Sequence, residues 1–219
     1  MHAVQTARVY TKRFLGLGWA RVFLVLGVVF LLLSLANPIW AYTTPGPGTS
    51  TDTLTFGWTS WMRNRYESGA WAETFSQSYT ALAFDLHAIA NAAGTSYILI
   101  VVLLFMLIGA FALISSWFSL QLHGLSLLVL GLVVAILAFV ALLYPVLTIP
   151  AAAAGDLGDA SITGFWGGAG PTSWGAGLGW WFLLIGVLFG ILGGLWPFLK
   201  SMREPMVRAP PPREWQVER

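Results

Sequence analysis

Four long apolar runs without a single charge dominate this chain: residues 22–42, "VFLVLGVVFLLLSLANPIWAY"; 96–118, "SYILIVVLLFMLIGAFALISSWF"; 125–150, "LSLLVLGLVVAILAFVALLYPVLTIP"; and 178–199, "LGWWFLLIGVLFGILGGLWPFL". Each reaches the roughly 20 residues a helix needs to cross about 30 Å of hydrocarbon. A backbone in lipid must satisfy its N–H and C=O groups within the segment, so these runs are expected to be helices. Barrel strands would alternate apolar and polar residues, and these runs do not. Only 9% of the 219 residues are charged and 57% are hydrophobic. Soluble domains carry about 25% charged residues, so the solvent of this chain is lipid. The expected fold class is an all-α membrane protein, a four-transmembrane-helix bundle forming a single membrane domain.

Residues 22–42 follow Lys12 and Arg13, as in a secretory signal. The run is longer than the usual 7–15 residues and lacks a small-residue cleavage site after it, so it is read as a retained span.

The basic residues give an orientation. Arg8, Lys12, Arg13 and Arg21 precede the first run, and Lys200, Arg203, Arg208, Arg213 and Arg219 follow the last. Between the runs only Arg63 and Arg65 occur, beside Asp52, Glu67, Glu73, Asp85, Asp156 and Asp159. By the positive-inside rule both tails, residues 1–21 and 200–219, are expected in the cytoplasm. Residues 43–95 then form a large first outer loop, 119–124 a short cytoplasmic link, and 151–177 a second outer loop.

The first loop has a pattern of its own. After the Pro- and Gly-rich "TTPGPGTSTD" comes "TLTFGWTSWMRNRY", with Leu54, Phe56 and Trp58 at period two, so this loop has the makings of a short β-sheet. Tyr79, Leu82, Leu86, Ile89 and Ala93 then fall at helical spacing, one apolar face of a surface helix. Gly94 and Thr95 are expected to turn the chain into the second span.

These residues resemble the claudin and peripheral myelin protein family of four-helix membrane proteins. The first span ends in "NPIW" (Pro38, Trp40), "FGWTSW" supplies Gly57, Trp58 and Trp61, and "YTALAFDLHAIANA" places Tyr79, Leu82, Asp85, Leu86 and Ala88 before the second span. The family's paired loop cysteines are absent, as is its Arg after the Asp-Leu pair, and His87 stands where the family has Gln. The resemblance implies cytoplasmic tails and a large first loop. It implies no one activity, since the family holds barrier formers, channel accessories and adhesion proteins.

Catalytic and cofactor chemistry find little to stand on. With no cysteine there is no disulfide, thiolate metal site or Cys nucleophile. His87 and His123 lie at opposite ends of spans and His2 in the tail, so no two share a haem. Asp85 and His87 are two apart and face different ways on a helix. Asp156 and Asp159, in "AAAAGDLGDAS", suit a solvated loop or a weak calcium site. No charge sits inside a span, against a coupled transporter. Ser34, Asn37, Ser115, Ser116, Ser126 and Thr148 are the polar residues a channel would have to use. No catalytic, cofactor or metal residue is assigned.

Two features favour association. Gly186, Gly190 and Gly194 recur every fourth residue, a stripe that lets another helix approach closely, within this bundle or in another subunit. Pro145 and Pro197 are expected to bend or end their helices. Most of the 12 Trp fit interfacial belts, but Trp58, Trp61, Trp71 and Trp166 lie in the loops, either as a protein contact surface or as a small core between the loops. The expected function is a non-catalytic membrane scaffold or accessory subunit, with membrane lipids and other integral membrane proteins or copies of itself as partners and no nucleic acid. The alternatives are a pigment- or quinone-binding accessory subunit of an energy-converting complex, or a channel or permease.

Overall fold

The computed structural model describes residues 18–81, 86–115 and 124–203. His2, Leu82, Asp85, Ser116, Trp117 and His123, with the link 119–123 and most of both tails, lie outside the described residues. Four helices are long and apolar enough to cross a membrane, as in a multi-pass membrane protein. They are α1 (Gly18–Leu35), α2 (His87–Ser115), α3 (Gly124–Asp156) and α4 (Leu178–Arg203). Helix α4 lies between α1 and α3, and α2 packs on α3 and α1, so the four form a closed ring.

The expected first span loses its last turns. Helix α1 stops at Leu35, not Tyr42, because Pro38 disfavours the helical conformation for the residue before it. Asn37 Nδ2 donates to the Leu33 carbonyl at 2.8 Å, satisfying one of the carbonyls the ended helix leaves open. Trp40–Pro45 then runs as strand β1. The other ends move outward. Helix α2 begins at His87 and not at residue 96, so Gly94 and Thr95 lie inside the helix and turn nothing. Helix α3 runs six residues past 150, through both Pro145 and Pro150, and α4 continues through Pro197. None of these prolines ends its helix. The apolar face expected along 79–93 also dissolves. Tyr79 follows the last strand of the first connection, Leu86 precedes α2, and only Ile89 and Ala93 lie on it, both buried.

The chain is not all-α. The first connection folds into β1, β2 (Ser50–Phe56), β3 (Ser60–Glu67) and β4 (Ala70–Ser78). The second adds β5 (Gly167–Ala169) and β6 (Thr172–Ala176). All six form one antiparallel sheet in the order β4-β3-β2-β1-β6-β5, so the two connections join where β6 pairs β1. The β3–β4 turn is two residues, Ser68 and Gly69, both at positive φ (50° and 81°). That hand of turn matches the twist of the flanking strands.

The sheet is fastened to the helix ends by close backbone approach. Gly177 N–H donates to the Ile39 carbonyl at 2.8 Å and Gly179 N–H to Pro38 at 2.7 Å. A Cβ on Gly177 would run into the Pro38 carbonyl and one on Gly179 into the Asn37 carbonyl, so the entry of α4 requires glycine at both positions. The core is continuous from sheet to bundle: Trp40, Phe56 and Trp58 belong to the same buried cluster as Ile89, Ala93, Ile149, Ala153 and Leu183.

Candidate functional site: the glycine seams and the aromatic sheet

The glycine stripe of α4 is used inside the bundle. A methyl built on Gly27 of α1 would come 3.2 Å from the Gly190 nitrogen and 3.3 Å from the Gly186 oxygen. One on Gly186 would come 3.2 Å from the Gly27 oxygen. These glycines bring two helix backbones together, where close contact replaces what lipid tails cannot supply. Gly194 turns to another neighbour: a methyl on Gly131 of α3 would lie 2.8 Å from its carbonyl oxygen. Gly190 also abuts Leu107 of α2. All three of the expected association glycines therefore face this chain's own helices.

Beside the α1–α4 seam runs an aromatic ladder that the sequence reading missed. Phe182, Phe30, Phe189, Phe23 and Trp196 follow one another with ring centroids 5.6–6.1 Å apart. Phe182, Phe189 and Trp196 recur every seventh residue, as do Phe23 and Phe30. That heptad spacing is the signal that would have found them.

The four loop tryptophans separate into different roles. Trp58 is buried, and its Nε1 donates to the Ser34 carbonyl at 2.7 Å, pinning the β2–β3 turn to the end of α1. It therefore belongs to the core and not to a contact surface. Trp61 is half-buried beside Phe75, with centroids 5.6 Å apart. Trp71 is 65% exposed, its Nε1 donating to Thr74 Oγ1 at 2.9 Å. Trp166 is 51% exposed and packs edge-on against Phe165 and Trp180. Trp40, which the apolar run placed at the end of the first span, is fully buried in β1; its Nε1 donates to the Phe165 carbonyl at 2.8 Å and holds the second connection over the sheet.

Alternation puts Trp40, Tyr42, Leu54, Phe56, Trp61, Arg63, Arg65, Glu73 and Phe75 on one face of the sheet. The β1 and β6 part of this face is covered by the second connection. The β3 and β4 part is open, and Trp61, Arg63, Arg65, Glu73 and Phe75 line a recess of ≈ 290 Å³ there. Asp52, buried on β2, holds the recess together. It pairs with Arg63 Nη2 and accepts from Arg65 Nε at 3.1 Å. The hydrogen bond from Arg63, with that from Arg65 and both positive charges, holds the Asp52 carboxyl below the usual range against the opposing effect of burial. The bond to Asp52 in turn raises the Arg65 guanidinium, with Glu73 adding to it.

A second polar tie lies under the covered half. Tyr42 donates its hydroxyl to Asp159 Oδ2 at 2.7 Å, and Ser161 donates both its hydroxyl (2.6 Å) and its N–H (3.0 Å) to Asp159 Oδ1. Burial first, then the bond to Asp159, pushes the Tyr42 hydroxyl up, while the Ser161 and Tyr42 bonds lower Asp159. Asp159 is thus engaged in fastening its own loop. Asp156 caps α2 through the Ile89 N–H. Among the described residues no three His, Cys, Asp or Glu side chains come together as a metal site.

Taken together these features define a multi-pass membrane chain that carries an aromatic sheet at one end of its helices. No protein-family model matches the sequence, and no curated protein matches it.

Proposed function

We propose that the protein is a non-catalytic membrane scaffold or accessory subunit that binds other integral membrane proteins, or itself, through the open part of its sheet. The observation that carries this reading is the division of labour among its packing surfaces. The glycines are consumed inside the bundle, whereas β4 is exposed on both faces and presents Trp71 and Phe75, the latter 48% exposed. Exposed aromatics of this kind mark contact surfaces. Trp166, on the second connection against β6, is a separate exposed aromatic, with three strands lying between β6 and β4 in the sheet.

The excess of basic residues in the two tails supports a cytoplasmic position for both, with the sheet on the outer side. A claudin-like relationship is part of the proposal. It rests on the sequence motifs that carry the resemblance, of which Trp40 and Trp58 are buried where the sheet meets the helix ends.

Purification of the full chain in mild detergent, followed by light scattering and identification of retained membrane proteins, tests the reading. Trp71→Ala together with Trp166→Ala is expected to release the partner or the second copy while the melting temperature holds. A wild-type chain that is monomeric and retains no protein, or a turnover of its own that survives purification, sinks the scaffold reading.

A further inference from the structure

The open recess of the sheet has an internal order. The β2–β3 turn, residues 57–59, is the end of β3 fixed to the membrane helices, through Trp58 and the Ser34 carbonyl of α1. Position along β3 therefore measures distance from the helix ends, at about 3.3 Å per residue. Trp61 comes first. Arg63 follows, paired across the strands with Phe75. Arg65 is outermost, paired with Glu73. From the helix ends outward the lining thus reads aromatic, then guanidinium, then guanidinium with carboxylate.

The charges are balanced. Arg63 and Arg65 face Asp52 and Glu73, so the recess does not select a plain anion. Each arginine commits to Asp52 through one nitrogen, Nη2 of Arg63 and Nε of Arg65, and a guanidinium has five N–H donors. The Arg63 and Arg65 side chains keep 39% and 29% of their surface open. Donors remain for a second oxyanion, and planar guanidinium forks suit phosphate. Glu73 is exposed and makes no ion pair within bonding distance among the described residues, which leaves it open to a cation. The faces of Trp61 and Phe75 also attract cations and apolar groups.

We propose that the recess formed by Trp61, Arg63, Arg65, Glu73 and Phe75 binds the zwitterionic headgroup of a membrane phospholipid. The order of the lining matches the order of the lipid. The glycerol and upper acyl carbons lie against Trp61 and Phe75. The phosphate takes the free donors of Arg63 and Arg65. The ammonium, farthest from the acyl chains, meets Glu73. A lipid held this way tethers the open half of the sheet to the bilayer around the bundle. A free phosphoethanolamine shares the charged chemistry but offers nothing to the aromatic end.

The inference does not depend on the scaffold reading, because lipid retention and protein association are measured separately. Full-length protein in a non-lipid detergent is titrated with dihexanoyl phosphatidylethanolamine, dihexanoyl phosphatidylglycerol and O-phosphoethanolamine, and bound species are counted by native mass spectrometry. The expected result is saturable binding of the phosphatidylethanolamine, tighter than either competitor. Glu73→Gln is expected to erase the preference over phosphatidylglycerol. Phe75→Ala should weaken the lipid by about tenfold, near the lower end expected for fully burying one Phe side chain. Both side chains are exposed, so neither change threatens folding, and unchanged melting curves check this. Arg63→Ala is a poorer probe, since it strips Asp52 of a partner. The proposal is overturned by any of four results. These are no saturable phosphatidylethanolamine binding, phosphatidylglycerol bound as well or better, O-phosphoethanolamine bound as tightly as the lipid, or both variants binding like wild type.

Discussion

Asp156, at the end of α3, closes the beginning of α2: its Oδ2 accepts the Ile89 N–H at 2.8 Å across 67 residues of sequence. The first N–H groups of a helix have no partner within it, and His87 opens α2 with no acidic residue of its own in the first turn. The carboxylate of a neighbouring helix supplies the missing acceptor, and it lies at the positive end of the helix dipole. The contact also ties the end of α3 to the point where the chain leaves the sheet.

Replacing Asp156 with Ala is therefore expected to destabilise the folded protein by about 1 kcal/mol, the usual cost of a lost N-cap. Asp156→Asn keeps an acceptor oxygen and loses only the charge, so it should recover most of the effect. Thermal melting in detergent ranks the three proteins. An Ala variant that melts with wild type would mean that water serves the α2 terminus equally well.

Asp52 makes the sheet sensitive to acid. Its folded pKa is depressed, chiefly by the bond from Arg63. The sign follows from linkage: a lowered carboxylate contributes stability that is fully present above its unfolded pKa, about 3.9, and is lost as pH falls through the folded value. Stability near the sheet should thus be flat around neutrality and decline below roughly pH 4. Asp159, also lowered, acts in the same direction under Tyr42. Tryptophan fluorescence followed during acid titration reads the loss. In Asp52→Asn the sheet should be weaker at pH 7 and its acid transition shallower. An Asn variant with the wild-type acid profile would assign the transition elsewhere.

The membrane orientation is open to direct labelling, because the chain has no cysteine of its own. Thr49, exposed on the β1–β2 turn, reports the sheet side, and Ser201, at the end of α4, reports the other. A single cysteine at position 49 should react with a membrane-impermeant maleimide on intact cells, and one at position 201 only after permeabilisation. The reverse pattern would invert the topology derived from the basic tails. Equal labelling would refute a fixed one.

Much of this fold could be read from sequence because lipid imposes one strong rule on it. The four helices follow from apolar length alone, and their middles agree with the runs that predicted them. Their ends do not, since hydropathy cannot tell a helix from a strand once both are apolar. "IWAY" is as apolar as the helix before it, and only Pro38 betrays the change. Residues 94–95 erred the other way: Gly94 and Thr95 look like a turn after the expected surface helix, but α2 runs unbroken through them from His87. Of the first-connection strands, β2 was legible from the period of Leu54 and Phe56, while β1 was hidden in the apolar run and β4 was not foreseen. The joining of β6 to β1 was not, because a short Gly-rich stretch such as "GGAGPTSWGA" carries no pairing partner in its own pattern. Among the site residues, the spacing of Gly186, Gly190 and Gly194 announced a close packing face without saying what lay against it. Trp58 and Trp71 look alike in sequence, and only the sheet decides that one is buried and the other exposed.

The glycine seam gives the sharpest steric test. Gly27 meets backbone, with the Gly190 nitrogen 3.2 Å and the Gly186 oxygen 3.3 Å from the position of an added methyl. Backbone atoms yield only if the two helices move apart. Gly190 meets the Leu107 side chain at 3.2 Å, which can partly rotate away. Gly109, exposed on α2, meets nothing within 4 Å. The order of damage should follow these surroundings. Gly27→Ala is expected to cost about 1–3 kcal/mol, in the range for overpacked cores. Gly190→Ala should cost less, and Gly190→Leu at least as much as Gly27→Ala. Gly109→Ala should be neutral or stabilising by up to about 1 kcal/mol, since Ala is the better helix former. Leu188→Ala, on the exposed side of α4, serves as a lipid-facing control. Because the seam lies within one chain, the losses should appear in the melting temperature of the isolated protein and leave its oligomeric state unchanged. A Gly27→Ala protein that melts normally but dissociates from a partner would move the seam from the interior of the bundle to an interface between subunits.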